Sequence, residues 1–311
     1  MQKTVKIGTR ASLLAMTQST TIKNLIEKQY PGTTVELVKI ITKGDKILDV
    51  PLAKVGGKGL FVKELEDALL NREVDIAVHS MKDVPSELPE ELHIGIVTKR
   101  EDPSDAFMAT KYASLKDLPN GAKIGTSSLR RKAQLAHLRP DVVIDDLRGN
   151  LDTRLRKLNE GMYDAIILAT AGLNRMNWSD QITDRFTPEE MLPAVAQGAN
   201  GIELRKDCGE LLAGLSFLNH DETAIAVVGE RAFLHRLEGG CQVPIGAYAT
   251  IDGNTITITG LIASVDGKEM LKKSVSGSIA DAASLGRGLA EDLLTMGGRR
   301  ILEEVYGASI Q

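Results

Sequence analysis

The chain has 311 residues, of which 42% are hydrophobic and 26% are charged, and its 29 glycines and 10 prolines are ordinary globular usage. This composition excludes a disordered or fibrous protein, and the length predicts two or three domains. The formal net charge of −4 argues against a protein that recruits a polyanion such as nucleic acid through its overall charge.

Strands and helices alternate over the first two thirds of the chain. The residue pattern predicts strands over 5–9, 34–42, 74–79, 122–126, 142–145 and 165–169. It predicts helices between them over 12–29, 63–71, 128–137 and 151–160. Because strands that alternate with helices are typical of βαβ units, this order indicates parallel sheets that helices cover on both faces.

Two punctuated segments interrupt the alternation, and the last third follows a different pattern. We interpret the charged run 99–105 as a hinge or crossover, and residues 187–201, with their prolines and glycines, as a return to a further strand over 201–205. The last third predicts helices over 222–237 and 280–296 and strands over 248–251, 255–263 and 270–276. Asp-Gly pairs between those strands are hairpin signals. We therefore predict an α/β protein with two α/β domains and a smaller C-terminal α+β domain with an antiparallel sheet.

The sequence predicts a cytoplasmic protein with no membrane span. The N-terminus lacks the pattern of a secretory signal, and no apolar stretch approaches the length of a transmembrane helix. In a reducing compartment Cys208 and Cys241 are not expected to form a disulfide, and neither lies in a zinc-binding pattern, so no metal is predicted. Cys241 follows two glycines in a turn that would expose its sulfur, whereas we interpret Cys208, which opens a helix, as an ordinary thiol. A hydrolase with a catalytic cysteine and histidine is an alternative function, although no histidine lies in a recognisable partner motif.

Positive charge is concentrated between residues 130 and 157. Four acidic side chains in this stretch face eight basic ones, which are Arg130, Arg131, Lys132, Arg139, Arg148, Arg154, Arg156 and Lys157. Several follow predicted strands directly, where helix N-termini present free N–H groups to anions, and Thr126 and Ser128 lie beside them. A solvated charged face is the alternative. The placement favours a site for carboxylates or phosphates, which arginine binds through two parallel hydrogen bonds.

Two further segments carry candidate chemistry. Residues 42–61 are rich in glycine and lysine, which predicts a mobile loop or lid over an acidic ligand. They do not match a Walker A phosphate loop, because Gly59 follows Lys58, so nucleotide binding has little support. Asp83 follows a predicted buried strand beside Lys82. Its carboxylate could stabilise a developing cation or move a proton, although a turn-forming role is the plainer interpretation.

These segments belong to a set of eight motifs that follow one another along the chain. The motifs are Lys6-Ile-Gly-Thr-Arg-Ala-Ser12, Gly56-Gly-Lys-Gly-Leu-Phe61, His79-Ser-Met-Lys-Asp-Val-Pro85, Gly125-Thr-Ser-Ser-Leu-Arg-Arg131, Leu147-Arg-Gly-Asn-Leu-Asp-Thr-Arg154, Ala169-Thr-Ala-Gly-Leu-Asn-Arg175, Gln197-Gly198 and Gly239-Gly-Cys-Gln-Val-Pro-Ile-Gly246. Together they cover essentially the whole chain and resemble the porphobilinogen deaminase family, whose members are also called hydroxymethylbilane synthases. The resemblance implies a first domain of residues 1–98 with 198–217, a second of 103–192, and a C-terminal domain of 221–311. It also implies that the first two domains are like periplasmic binding proteins, with the active site in the cleft between them.

The resemblance implies a transferase of tetrapyrrole biosynthesis. Such an enzyme condenses four porphobilinogen molecules head to tail, with release of ammonia, to give the linear tetrapyrrole hydroxymethylbilane. It elongates a dipyrromethane primer, the cofactor, which a thioether would join to Cys241. Every pyrrole carries an acetate and a propionate, which would explain the arginines. The resemblance further implies a monomer whose partner is the small-molecule substrate. The net charge and the absence of a long apolar stretch predict no nucleic-acid or membrane partner.

Family roles carry over residue by residue. Asp83 would be catalytic and would lie beneath the pyrrole nitrogens. The cofactor would be bound by Cys241, Ser80, Lys82, Thr126, Ser128, Arg130, Arg131, Arg148 and Gln197. The substrate would be bound by Arg10, Ser12, Arg148, Arg154 and Arg175, and the lid would use Lys54, Lys58 and Phe61. Departures from the family pattern are Ala11, Leu13, Thr17 and Asn200, which we expect to affect helix packing and the crossover strand, and so details of the hinge, rather than the chemistry.

Two other functions are compatible with parts of the sequence pattern. A solute-binding or effector-sensing module with the same two lobes would bind an anion without chemistry, and it would need neither Cys241 nor a third domain. A nucleic-acid binder would place residues 130–157 against phosphates. The absence of interleaved aromatic residues and the overall negative charge argue against that function.

Overall fold

The protein is described as a computed structural model that covers residues 3–46, 62–239, 243–307 and 309. The chain divides into two compact units. Unit 1 comprises Met1–Arg100 and Ala199–Ala224, and unit 2 comprises Glu101–Gly198 and Ile225–Gln311. None of the helices within the covered ranges has the length and apolar character needed to cross a bilayer.

Strands and helices of the described ranges follow one another in chain order. The strands are β1 (Thr4–Arg10), β2 (Thr34–Ile40), β3 (Ile76–Ser80), β4 (Leu92–Val97), β5 (Asp105–Ala109), β6 (Lys123–Gly125), β7 (Val143–Asp145), β8 (Ala165–Ala169), β9 (Asp184–Arg185), β10 (Asn200–Arg205), β11 (Ile245–Asp252), β12 (Thr255–Ala263) and β13 (Met270–Ser278). The α-helices are α1 (Leu13–Gln29), α2 (Lys43–Lys46), α3 (Lys63–Leu70), α4 (Leu129–Leu138), α5 (Leu151–Asn159), α6 (Thr170–Arg175), α7 (Gly209–Leu215), α8 (Asp221–Arg236), α9 (Ala282–Leu293) and α10 (Arg299–Tyr306).

The sheet of unit 1 has the strand order β2-β1-β3-β10-β4. β1 pairs in parallel with β2 and β3, whereas β10 runs antiparallel to both β3 and β4. Ile7, Ile76 and Ile202 are buried in the core of this sheet. The predicted parallel pairing therefore holds for β1, β2 and β3, whereas the late strand β10 enters the sheet between β3 and β4 in the opposite direction.

The second sheet, in unit 2, has the order β7-β6-β8-β5-β9. β6 pairs in parallel with β7 and β8, and β5 runs antiparallel to β8 and β9. The predicted hinge 99–105 thus ends in a buried strand that begins at Asp105. The pattern did not predict β4, β5 or β9, because β9 has two residues, β4 contains Gly95, and β5 is five residues long with a charged first residue.

The third sheet is an antiparallel meander of β11, β12 and β13. One face buries Ile256 and Ile258, and α9 packs against β12 and β13. On the other face hydroxyl pairs join β12 to β13, with 2.8 Å between the oxygens of Thr257 and Ser276. The predicted α/β class and the separate antiparallel sheet are confirmed. The predicted domain boundaries stay predictions.

Candidate functional site

The carboxyl ends of β1 and β3 lie at the same edge of the unit 1 sheet, because these strands pair in parallel. Arg10 ends β1, and Ser80 ends β3. Ser12 caps α1, where its Oγ accepts a hydrogen bond from the N–H of Ala15 at 3.3 Å. Strand ends of this kind commonly carry binding residues. Three of the predicted residues therefore lie at one edge of one sheet.

A single 3₁₀ turn, Met81–Asp83, continues from β3 and carries two more predicted residues. The N–H of Met81 donates to the carbonyl of Ala199 at 2.9 Å, which ties the turn to the start of β10. Lys82 and Asp83 are half-buried. The Asp83 carboxylate has neither a hydrogen bond nor an ion pair with another residue of the described ranges. Its acceptor oxygens are therefore available to a ligand.

A buried amide holds Ser80. Gln18 donates from Nε2 to Ser80 Oγ and to Asn200 Oδ1, both at 2.9 Å. Asn200 was expected to matter only for the crossover strand, but the structure connects it through Gln18 to a predicted cofactor-binding hydroxyl. Sequence reasoning missed Gln18, although a polar residue on the apolar face of a helix is a signal that could have found it.

Arg10 already has an acidic neighbour. Its guanidinium forms an ion pair with Asp45, whose carboxylate also accepts a hydrogen bond from the hydroxyl of Thr42 at 2.8 Å. Burial would raise the pKa of Asp45, but the hydrogen bond and charge of Arg10 outweigh burial and lower it. Asp45 is thus ionised at neutral pH, and it is a second residue that sequence reasoning missed.

At the corresponding edge of the second sheet, two loops follow the parallel strands β6 and β7. Thr126 follows β6 and is buried, and Ser128 caps α4, where its Oγ accepts from the N–H of Arg131 at 3.5 Å. Ser127 Oγ donates to the carbonyl of Leu147 at 3.0 Å and so joins the two loops. The residue after Leu147 is Arg148. The predicted anion-binding residues of both loops therefore lie at one edge.

The turn after Arg148 requires glycine. Gly149 has a φ of +112°, and a Cβ at this position would lie 2.6 Å from the side chain of Thr153. Arg154 donates from Nε to the carbonyl of Gly149 at 2.8 Å, and Lys157 donates from Nζ to that of Arg148 at 3.1 Å. Side chains from the following helix thus fix the backbone from which Arg148 extends.

Asp105 is the centre of the polar cluster at this edge. It begins β5, opposite Ala169 at the end of β8. Its Oδ2 lies 2.7 Å from Arg130 Nη1, and its Oδ1 lies 2.7 Å from Arg131 Nη2. Gln197 Nε2 donates to the same Oδ1 at 2.9 Å and to the carbonyl of Pro103 at 2.7 Å. Three predicted cofactor-binding residues therefore share one carboxylate.

The Asp105 cluster is buried and carries net positive charge. The side chains of Arg130, Arg131 and Asp105 are 4%, 7% and 0% exposed. Burial alone would raise the pKa of Asp105, but the charges of the two guanidinium groups outweigh burial and hold that pKa well below its ordinary range. Burial lowers the pKa of Arg130, and Asp105 opposes this change. Two cations thus face one anion, which favours a further anion beside them.

The segment that carries Gln197 is held from two sides. Arg175 donates from Nη2 to the carbonyl of Gly198 at 2.6 Å. Ala196 has a φ of +58°, and its N–H donates to Glu230 Oε2 at 2.6 Å. The other oxygen of Glu230 accepts from the N–H of Ala249 at 2.8 Å. Glu230 therefore anchors this segment to β11, a role that sequence reasoning missed.

Several predicted residues lie outside the described ranges. They are Cys241, Lys54, Lys58 and Phe61. Cys208 is described, packs against the unit 1 core and has a raised pKa because of burial. These features agree with its interpretation as an ordinary thiol. Within the ranges that the structure covers, no group of three or more histidine, cysteine or acidic side chains is arranged to hold a metal.

Comparison with solved structures gives low similarity. A nutrient binding protein from Burkholderia cenocepacia bound to methionine is 15% identical, covers 68% of this chain and 89% of its own, and has a TM-score of 0.43. A periplasmic binding protein of Salmonella typhimurium with high arginine specificity is 14% identical, covers 72% of this chain and 94% of its own, and has a TM-score of 0.41. No functional conclusion follows from these scores.

Comparison by sequence is far more specific. The family model described as porphobilinogen deaminase, dipyromethane cofactor binding domain, matches residues 5–213, and the model of the porphobilinogen deaminase C-terminal domain matches residues 224–295. The porphobilinogen deaminase of Syntrophobacter fumaroxidans is 55% identical over 98% of this chain and 99% of its own. That of Trichlorobacter lovleyi is 56% identical over 99% of this chain and 98% of its own. The chain therefore belongs to the porphobilinogen deaminase family.

Proposed function

We propose that this protein is a transferase that condenses four porphobilinogen molecules head to tail, releases ammonia and yields hydroxymethylbilane. The observation that carries the proposal within the structure is the buried Asp105 cluster, in which Arg130 and Arg131 share a single carboxylate beside the N-terminus of α4. A site of this charge suits a ligand that carries carboxylates. Family membership over nearly the whole chain supplies the identity of that ligand.

The donors at this edge fit a dipyrromethane cofactor. Each of its rings carries an acetate and a propionate, and guanidinium groups, hydroxyls and helix N–H groups are the donors that bind carboxylates. Arg130 Nε is buried without a partner in the described structure, as expected where an acceptor is to be added. Thr126, Ser128, Arg148 and the unit 1 residues Ser80 and Lys82 complete the proposed cofactor set. When bound, the dipyrromethane supplies the end to which the first substrate is joined.

Asp83 is the proposed catalytic residue. Its half-buried carboxylate has acceptor oxygens without a partner in the described ranges and lies on a turn that β3 and β10 hold in place. A carboxylate so placed stabilises positive charge that develops on a pyrrole nitrogen, and it accepts a proton there. Lys82 on the same turn is proposed to bind a carboxylate of the cofactor.

The remaining predicted residues bind substrate and cover it. Arg10 and Ser12 in unit 1, and Arg148, Arg154 and Arg175 in unit 2, bind carboxylates of porphobilinogen and of the growing chain. Lys54, Lys58 and Phe61 belong to the proposed lid. The protein acts as a cytoplasmic monomer, with no nucleic-acid or membrane partner.

Covalent attachment through Cys241 is tested by intact mass. The purified wild-type protein should exceed the mass of its sequence by one dipyrromethane, and Cys241→Ser should not, because only a thiolate at this position forms the thioether. Cys208→Ser is the matched control and should keep the adduct. An unmodified wild-type mass would contradict the proposed attachment and favour an anion-binding module without chemistry. An adduct that persists in Cys241→Ser would show attachment at another residue.

A further inference from the structure

The Asp105 carboxylate contacts three predicted site residues, Arg130, Arg131 and Gln197. Its place at the start of a strand does not require these contacts. It is fully buried at the first position of β5 and joins side chains from two other parts of unit 2. Arg131 contacts its Oδ1 from both Nε, at 3.0 Å, and Nη2, at 2.7 Å. Gln197 reaches the same oxygen at 2.9 Å, and Arg130 reaches the other oxygen at 2.7 Å. A buried carboxylate with four such contacts fixes the orientation of every donor that it holds.

The two guanidinium groups keep donors beyond those that these contacts use. Each guanidinium has five N–H donors in a rigid plane. The contacts seen in the described structure occupy three donors of Arg131, of which one goes to the carbonyl of Ile167, and two of Arg130, of which one goes to the carbonyl of Leu192. Because each group is planar, fixing one side of it also fixes the direction of the donors on the other side.

Charge leads to the same conclusion. One carboxylate cannot neutralise two buried guanidinium groups, and a buried uncompensated charge is costly. The arrangement is therefore stable in full only when a further anion is present. The carboxylates of the proposed cofactor are such anions, since Arg130 and Arg131 are among the residues proposed to bind it.

We propose that Asp105 is a positioning residue for cofactor loading, which holds Arg130 and Arg131 in the orientation in which their remaining donors bind the carboxylates of dipyrromethane. This inference rests on the proposed function. According to this inference, Asp105 lowers the concentration of porphobilinogen that the protein needs to acquire its adduct, and this effect is separate from any effect on folding.

The experiment measures loading directly. Protein made in cells that lack porphobilinogen is incubated with increasing concentrations of that compound, and the adduct is followed by intact mass. Asp105→Asn should raise the concentration for half-maximal loading at least tenfold, because the guanidinium groups lose their charged acceptor. Asp105→Glu keeps the charge and should recover part of the loss.

Two controls separate positioning from stability. Asp141→Asn removes the acidic partner of Arg139, which is also in unit 2, and should load like the wild type. Ile124→Ala makes a cavity in the core of unit 2 and lowers stability without touching the cluster. It should load normally at a temperature at which it is folded. Loading by Asp105→Asn at wild-type concentrations, or an equal defect in Ile124→Ala, would overturn the inference.

A second comparison tests the positioning role of Asp105 if the single variant Asp105→Asn does not fold. The double variant Asp105→Asn with Arg130→Gln keeps the net charge of the cluster and is compared with Arg130→Gln alone. The inference requires the double variant to load at least tenfold less readily, and equal loading overturns it. Failure of the proposed function is distinguishable, because the wild type itself would then gain no mass.

Discussion

Asp83 shows how a single side chain gains a role from what surrounds it. It lies on a short turn whose backbone is fixed by β10, so its carboxylate is held in place without a side-chain partner in the described ranges. A carboxylate held in this way needs little reorganisation when positive charge appears beside it. A carboxylate already paired, such as Asp45 with Arg10, lacks this capacity.

Replacing Asp83 by asparagine tests this role. Asp83→Asn should keep the fold and the covalent adduct, yet lower turnover by about 10² to 10³, the loss that follows removal of one preorganised electrostatic contact from an active site. Steady-state assays and intact mass check the two parts separately. Glu90→Gln, an exposed residue that follows on the same loop, should turn over normally. Near-normal turnover of Asp83→Asn would remove Asp83 from the catalytic role.

Sequence could place the candidate residues but not their partners. The pattern places Ser80, Thr126 and Arg148 at or just after the ends of predicted strands, and the ends of parallel strands meet at one edge of a sheet. Gln18 and Asn200, however, are 182 positions apart, and Gln197 and Asp105 are 92 apart. No local pattern specifies such pairs, because they depend on the position of β10 and β5 within their sheets.

At the scale of elements, α3 covers a group of titratable side chains in unit 1. It packs against β3 and β10, where His79 Nε2 lies 2.8 Å from Glu203 Oε2, and both side chains are buried. Burial first, and then the charge of Glu203, raises the pKa of Glu66 on α3 from 4.5 to about 7, and His79 partly opposes this rise. The helix therefore holds a carboxyl group that binds a proton more tightly in the folded state.

This group makes stability depend on pH. Glu66 is protonated in both states below its ordinary pKa of 4.5, and between that value and about 7 the unfolded chain loses the proton first. The free energy of unfolding should thus fall by about 1 to 2 kcal/mol as the pH rises through this window, a figure reduced because Glu66 is half-exposed. Denaturant unfolding at several pH values measures the change.

Matched variants identify the group responsible. Glu66→Gln removes the titration and should flatten this part of the pH profile. Glu73→Gln removes an exposed carboxylate that lies just after the same helix and should leave the slope as it is in the wild type. A slope that persists in Glu66→Gln would assign the dependence to other groups.

Most of the longer elements follow from the sequence pattern, and so do the short strands β6 and β7, whereas β4, β5 and β9 do not. The predicted helix 12–29 and the observed α1 differ only by the capping residue Ser12, since the apolar period runs over many turns. β5 was missed because its charged first residue extends the charged run 99–105, and only the tertiary pairing with Arg130 and Arg131 makes an aspartate acceptable there. Asp105, whose charge prevented the prediction of β5, is therefore also the residue that holds Arg130 and Arg131 together.

At the scale of the whole molecule, the chain consists of two units with separate cores. Ile76 lies in the core of unit 1 and Ile167 in a core of unit 2, and both are fully buried. Chains with more than one such unit commonly depart from two-state unfolding. Calorimetry should therefore show two overlapping transitions.

Core variants assign the transitions to units. Ile76→Ala and Ile167→Ala should each cost about 2 to 5 kcal/mol through lost burial and a cavity. Each should shift a different transition to lower temperature and leave the other nearly in place. A single transition that both variants shift equally would show that the two units unfold together.

The outermost strands of the second and third sheets affect how readily copies of the protein aggregate. In the second sheet the outermost strands β7 and β9 have three and two residues. In the third sheet β13 is longer, with nine residues, but carries the exposed neighbours Lys272 and Lys273. Short or charged outer strands offer few unpaired backbone groups to another chain, and they make strand-to-strand aggregation unfavourable. We therefore expect these outer strands to contribute little to association between copies of the protein.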